Sequence, residues 1–339
     1  MIGSCKRWAP WLTALLPSLA LAVGGYAEHP KALAFAQDLQ ARHGIDAAAV
    51  LATLGEAQRN ERVLKLIVPP GRPGVRSWAR YRARFIEPSR IEGGLAFWQE
   101  NTLSLRQASE KFGVPEEVIV AIIGVETFYG RNTGNFRLVD ALSTLAFDYP
   151  PRAALFQREL ENLFLLARDE KESPTHYRGS YAGAIGYPQF LPSSIRNFAV
   201  DFDEDGHVDL EGNPADAIGS VANYLHRHGW EAGRPVAMRA RLTQPPSAQV
   251  VSADILPSFG PAELAAQGIF PEDDQSVADK AALISLDSPG APVEYWLGYQ
   301  NFYVITRYNR SSFYAMAVFQ LASALLEAQA PNPTQASLR

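Results

Sequence analysis

Glu126 is the only charged side chain between Glu117 and Arg131, and it follows an unbroken apolar and glycine run, Val118-Ile119-Val120-Ala121-Ile122-Ile123-Gly124-Val125. In such surroundings a carboxylate loses hydration, so its pKa rises and it can hold a proton near neutral pH. Delivered to a leaving oxygen, that proton makes the group a general acid for sugar chemistry. A hydrolase would normally add a second carboxylate as nucleophile or base. The nearby acids, Asp140 and Asp148, fall in helical and loop contexts with no paired arrangement. Taken alone, Glu126 also reads as an ion-pair partner of Arg131, because carboxylates are rarely buried unpaired.

A second set of residues is acidic. Asp201, Asp203, Asp205 and Asp209 occupy positions 1, 3, 5 and 9 of a loop with Gly206 at position 6. This spacing wraps oxygen ligands around one Ca²⁺ in an EF-hand loop, the sharp turn falling at the glycine. His207 at position 7 would offer its carbonyl rather than its ring. Position 12 departs from the pattern, being Gly212 instead of a bidentate acid. Asn213 could ligate through its amide oxygen or cap the helix starting at Pro214. Asp216, in the first turn of that helix, is the nearest acid able to close an extended site. Four acids so placed repel one another without a cation, so one structural Ca²⁺ is expected, with a metal-free acidic turn as the alternative.

The third set is a glycine-rich stretch from Tyr177 to Ser194, in which Gly179, Gly183 and Gly186 lie among small and aromatic residues with few charges. Such a loop lets backbone approach a ligand closely. Within it Ser180 lacks a nucleophile-elbow sequence. His226 and His228 are two apart on a helix and cannot share a face. No zinc motif and no organic cofactor motif is visible.

Glu126 needs a helix to carry it. Pro115 suits a first helical position, Glu116 and Glu117 favour the positive end of the helix dipole, and Gly130 supplies a stop. The run between them has too few polar positions for a surface helix, so it is expected to be buried nearly all round. Helical periodicity extends from Glu28 to about Ser109, through Ala32, Phe35, Ala36 and Leu39, then Ala47, Val50, Leu51 and Leu54. A proline- and glycine-rich loop at 69–74 interrupts it. The aromatic and basic segment 78–86 follows, with Tyr81 and Phe85 four residues apart. Further helices are expected at 138–147, 153–167, 193–199, 214–228 and 312–328. Alternation at 236–242 and the run 281–286 predict strands, placing a small β-containing unit between 234 and 298.

The chain of 339 residues, 47% hydrophobic and 20% charged, can bury a core divided over two or three domains. Its net charge of −5 leaves no basic footprint of the kind nucleic-acid binding requires. Lys6 and Arg7 precede an apolar run at 11–23 broken by Pro17, then Gly24-Gly25-Tyr26-Ala27. This is the pattern of a secretory signal cleaved after Ala27 or Ala22. The run is shorter than the ~20 residues that span a bilayer. Cys5, the single cysteine, precedes the run instead of standing at a cleavage point. A periplasmic protein, soluble after cleavage and free of disulfides, is expected.

Four segments together carry a resemblance: Gly124-Val125-Glu126-Thr127 with Tyr129-Gly130 and Gly134; Asp140 to Pro150; Gly179 to Ser194; and Ile305-Thr306-Arg307-Tyr308-Asn309. In this order, and with the acidic loop between the last two, they resemble the lytic murein transglycosylase B family from about Ala34 to Leu326. The resemblance implies a mainly α (α+β) fold: a goose-type-lysozyme-like core with a helical domain and a small β subdomain. The expected division is 1–27 signal peptide; 28–109 helical domain with 140–176 packed on it; 110–139, 177–232 and 299–330 catalytic core, with the ion loop at 201–216; and 233–298 β subdomain. The implied activity cleaves the β-1,4 bond between N-acetylmuramic acid and N-acetylglucosamine in peptidoglycan without water, leaving 1,6-anhydro ends. Glu126 would serve as acid and then base, which is why one carboxyl suffices.

By the same resemblance, Ser180 and Gln189 would hold the sugar and its acetamido group. Phe190 and Tyr308 would wall the cleft, and Asn309 would bond near Glu126. Tyr81, Arg152 and Tyr314 would line the cleft or receive the stem peptide. Pro151 stands before Arg152 where the family usually has a second arginine, and the ion loop is one residue longer before its helix. The implied partners are glycan strands and cell-wall enzyme complexes, and a monomer is expected. A hydrolytic muramidase and a catalytically silent peptidoglycan-binding protein are the alternatives.

Overall fold

The computed structural model describes residues 25–69, 76–252, 254–273 and 279–330. The apolar run of the expected signal and the loop at 70–74 lie outside them. Helix α1, Pro30–His43, opens with proline in its first turn and closes at Gly44, whose φ is 68°. Helices α2, Ala47–Glu56, α3, Glu61–Ile67, and α4, Trp78–Arg82, are capped by the side chains of Asp46, Asn60 and Ser77. Then come α5, Pro88–Glu100, α6, Thr102–Phe112, and α7, Glu116–Thr127. Pro115 is the N-cap of α7, so the helix starts one residue later than the proline alone suggests.

A short strand β1, Phe136–Arg137, leads into α8, Leu138–Asp148. A 3-10 turn, Pro150–Arg152, separates it from α9, Ala153–Glu170. Strand β2, Arg178–Gly179, pairs antiparallel with β1, Phe136 opposite Gly179. This pairing ties the glycine-rich stretch to the chain leaving α7. Helices α10, Pro192–Phe198, and α11, Pro214–Arg227, flank the acidic loop.

The β region comprises β3, Ala237–Leu242, α12, Ala248–Ser252, α13, Pro261–Ala266, β4, Ile269–Pro271, β5, Ala282–Leu286, and β6, Glu294–Gly298. Its strands form one antiparallel sheet in the order β4-β3-β6-β5. Helices α14, Gln300–Tyr308, and α15, Ser312–Gln329, complete the described chain.

Helix α7 is enclosed by α15, α5, α6 and α11. Residues Ile119 to Ile123 are completely buried. Burying each such aliphatic side chain contributes about 1.5–3 kcal/mol, so this helix anchors the main core. That core continues into α1, α2, α3, α8 and α9, where the Phe35 ring meets Phe147 at 6.0 Å and Phe164 at 6.2 Å. The sheet has a smaller cluster of its own around Val250, Leu264, Ile269, Leu283 and Tyr299. The sequence pattern groups 28–109 together. Contact differs, since α5 packs on α15 and α7, and α6 on α11, so 88–112 sits with the helix that carries Glu126.

Candidate active site

Two non-glycine residues end α7, against the expectation that Gly130 stops it. Phe128 and Tyr129 have φ of 54° and 59°, a left-handed conformation that costs such residues on the order of 1–3 kcal/mol each. The surroundings hold it in place. The Thr127 hydroxyl accepts from the Gly130 N–H at 2.9 Å and donates to the Tyr187 carbonyl at 3.0 Å. Arg90 donates to the Gly124 carbonyl, and its guanidinium lies 5.2 Å from the Phe85 ring centre and 4.6 Å from that of Phe128. The Tyr129 hydroxyl donates to the Arg90 carbonyl at 2.9 Å. It rests against Gly124, where an added Cβ would lie 2.6 Å from it. Glycine is therefore required at 124 by the tyrosine that follows the helix.

This turn presents Glu126, which keeps a partial opening to solvent. The Tyr314 hydroxyl donates to its Oε1 at 2.6 Å. Tyr308 stacks on Tyr314, ring centres 6.4 Å apart and 14° from parallel. Phe190 stands 5.8 Å from Tyr308. Loss of hydration between these rings raises the Glu126 pKa, the Tyr314 hydrogen bond partly opposes the rise, and the result is about 7. Arg131 does not pair with it; its guanidinium lies 4.9 Å from the Phe128 ring centre. Asp140 is engaged by Arg137 and by the Gln58 N–H, and Asp148 by Tyr26 and Arg59.

The glycine-rich stretch folds back beside this carboxyl. The Tyr308 hydroxyl donates to the Pro188 carbonyl at 2.6 Å, which fixes the loop to α14. Gln189, at a φ of 51°, donates through Nε2 to the carbonyls of Thr133 and Gly186, each at 3.0 Å. Its Oε1 remains an acceptor for a ligand. The Ser180 hydroxyl accepts from the Ala184 N–H at 3.0 Å and keeps its own proton to donate. Gly134 lies so close to Gly179 that a Cβ there would meet the Ser180 nitrogen at 2.6 Å.

Comparison with known proteins places this geometry. The model described as the transglycosylase SLT domain matches residues 27–323. The chain belongs to the transglycosylase SLT domain family. Over 311 residues it is 43% identical to membrane-bound lytic murein transglycosylase B of Escherichia coli strain K12, covering 89% of this chain and 84% of that one. The X-ray structure of catenated lytic transglycosylase SltB1 from Pseudomonas aeruginosa superposes with a TM-score of 0.82 at 43% identity, covering 89% of this chain and 99% of that one. The Escherichia coli lytic transglycosylase Slt35 in complex with calcium gives 0.80 at 42% identity, with coverage of 91% and 96%.

In this SLT-domain chain the ion loop has its own geometry. Carboxylate oxygens of Asp201, Asp203 and Asp205 lie within 4.8 Å of one another. Gly206 makes the turn with a φ of 95°. Asp209 accepts from the N–H groups of Glu211 and Gly212, and His207 donates its own N–H to Asp205. Asn213 caps α11 through its Oδ1 and donates to Asp203. Asp216 is fully buried, and its two oxygens accept from the N–H groups of Phe202 and Asp209. It thereby fastens both ends of the loop to α11 and does not join the converging set.

Among the other expected residues, Tyr81 packs on Trp78, Phe85 and Phe313 at the cleft. Its pKa is raised by burial and by the charge on Glu126. Asn309 is exposed where α14 ends. Arg152 is exposed with its guanidinium 5.4 Å from the Phe156 ring centre, and no bond joins it to the residues around Glu126. Sequence reasoning missed Arg90, which carries no local signal, and the reason for Gly124. The direct bond from Tyr314 spans 188 positions, a separation no periodicity reveals.

Proposed function

We propose that this chain is a peptidoglycan lytic transglycosylase in which Glu126 acts alone as acid and then base. The observation that carries the reading is a carboxyl with a pKa near 7, bonded to Tyr314 and free of any arginine or second carboxylate partner among the described residues. Family membership and the relatives' names, lytic murein transglycosylase B among them, support the substrate. Protonated Glu126 donates to the glycosidic oxygen between N-acetylmuramic acid and N-acetylglucosamine as the C1–O bond breaks. The acetamido group of the muramic residue assists at its anomeric carbon. The resulting carboxylate removes the proton from the C6 hydroxyl, whose oxygen bonds to C1 and closes the 1,6-anhydro ring. One proton is given and one recovered, so a single carboxyl completes the cycle.

Tyr314 orients the carboxyl and stabilises its charged form for the second step. Ser180 donates to the sugar, Gln189 accepts from an acetamido N–H through Oε1, and Phe190 and Tyr308 wall the cleft. Tyr81 and Asn309 border the reacting sugars, and Arg152 reaches a more distant part of the substrate. The converging oxygens of Asp201, Asp203 and Asp205 fit a Ca²⁺ ion. His207 supplies its carbonyl, Asp209 the remaining side of the loop, and Asp216 its support. Calcium in the complex of Slt35 supports this assignment. Export to the periplasm and a monomeric state complete the proposal. Mass analysis of digested sacculi tests it: the protein should release 1,6-anhydromuropeptides and Glu126→Gln should release none. Products with reducing ends would overturn the mechanism.

A further inference from the structure

Helix α4 is five residues long and carries Tyr81, whose hydroxyl feels the charge of Glu126. A helix of that length has no stability of its own, because nucleation fixes several residues for each hydrogen bond gained. Its position depends on what meets its first N–H groups. Ser77, the N-cap, accepts from the Arg80 N–H at 3.4 Å through its hydroxyl. The two donors before it find their acceptors in the β region. The Trp78 N–H donates to the Asp287 carbonyl at 2.7 Å, and the Ala79 N–H donates to the Ser288 hydroxyl oxygen at 2.9 Å, a partner 209 positions away.

Asp287 and Ser288 open the connection between β5 and β6. In Ser288-Pro289-Gly290-Ala291 the Ala291 N–H donates to the Ser288 carbonyl at 3.1 Å, and Gly290 has a φ of 80°. Proline at the second place and a left-handed glycine at the third mark a type II turn, whose torsions those two residues favour in advance. The turn therefore holds Ser288 in place as an acceptor. Aromatic packing grips α4 from its other side. Trp78 is completely buried with its ring 5.4 Å from that of Phe313, and Tyr81 lies 5.7 Å from the same ring. Phe313 directly precedes Tyr314, the partner of Glu126.

We propose that Ser288 is a positioning residue for substrate binding: the β5–β6 turn caps α4 and so holds Tyr81 against the glycan, an assignment that rests on the cleft reading given above. It gives the β region a part in binding substrate. Without the cap, α4 frays in the free protein and the strand must restore it on binding, so apparent affinity falls with the fraction of ordered helix. Once the strand is bound, Tyr81 is back in place and proton transfer by Glu126 keeps its rate.

Kinetics of the full protein on soluble glycan strands of uniform length test this. Ser288→Ala should raise KM by about three- to tenfold, the scale of one lost helix cap, while kcat stays the same and the falling limb of the pH profile remains near 7. Ser288→Thr keeps the hydroxyl and should restore most of the affinity. Tyr81→Ala should raise KM by itself, and Ser288→Ala added to it should raise KM little further, because both act through one side chain. A KM unmoved by Ser288→Ala, even with a lowered melting temperature, would make the bond merely structural and overturn the proposal. So would an equal rise with and without Tyr81, or a fall in kcat in place of the rise in KM. Reducing ends in the wild-type digest would count against the transglycosylase reading alone and leave the Tyr81 comparison to decide on Ser288.

Discussion

In the proposed mechanism the Tyr314–Glu126 bond governs the proton, and its effect on pH dependence has a definite sign. The proposed mechanism starts from protonated Glu126, so kcat/KM is expected to fall as pH rises through about 7. Tyr314 lowers the pKa from what burial alone would set. Tyr314→Phe should therefore move that limb to higher pH while reducing the rate roughly ten- to hundredfold, the cost of losing a charge-assisted bond. A pH–rate profile of the variant with an unmoved or lower limb would show that Tyr314 does not control the proton. The same shift bears on stability. The folded-state pKa lies above the ordinary value of 4.5, so the contribution of this group to folding is complete below pH 4.5 and declines as pH rises through 7. At about 1.4 kcal/mol per pKa unit, the loss is on the order of 3 kcal/mol. Glu126→Gln should accordingly melt at a higher temperature than the wild type at pH 8, with the two converging near pH 4.5, as thermal scans across this range would register.

The position of Glu126 is a property of α7 and its ending. Its burial was legible because eight consecutive apolar or glycine residues admit no solvent face. The ending was not, since Phe128 and Tyr129 adopt a conformation usually marked by glycine, and contacts from Arg90 and Tyr187 hold it. Gly124→Ala tests the clamp. A Cβ would press on the Tyr129 hydroxyl and on the edge of its ring, so stability in urea should drop by about 1–3 kcal/mol, and the same substitution should cost less in a Tyr129→Ala background. An equal cost in both backgrounds would mean that the strain lies elsewhere. The convergence of Asp201, Asp203 and Asp205 was legible by spacing, but the surroundings of Asp216 were not: it is buried and accepts from two backbone N–H groups. Chelation of purified protein should lower the melting temperature, and Ca²⁺ at a hundred times its Kd should restore about 2.7 kcal/mol. Helix α14 and strands β4 and β6 escaped sequence reading because they are short and take their order from sheet pairing and the packing around them.

At the scale of the molecule, the helices around Glu126 and those of the N-terminal half share one core, and the outer edge of that core is Tyr26. The phenol is buried at 5% exposure, donates to Asp148 at 2.6 Å and lies 5.3 Å from the Phe147 ring. Its backbone N–H reaches the Leu54 carbonyl at 2.7 Å, which joins the segment before α1 to the end of α2. Composition around this residue, Gly24-Gly25-Tyr26-Ala27, points to a signal cleavage site after Ala27, with Ala22 as the alternative. The packing of Tyr26 argues for the second. A cut after Ala27 discards Tyr26, opening a space beside Phe147 and leaving Asp148 without its phenol donor. Loss of a large buried aromatic side chain costs about 3–5 kcal/mol. The mature protein is therefore expected to begin at Val23, upstream of Tyr26. Mass spectrometry of the exported protein reads the first residue directly, and a form beginning at Glu28 should melt well below one beginning at Val23. An exported chain starting at Glu28, with equal melting of the two forms, would show that Tyr26 fills space without supporting the fold.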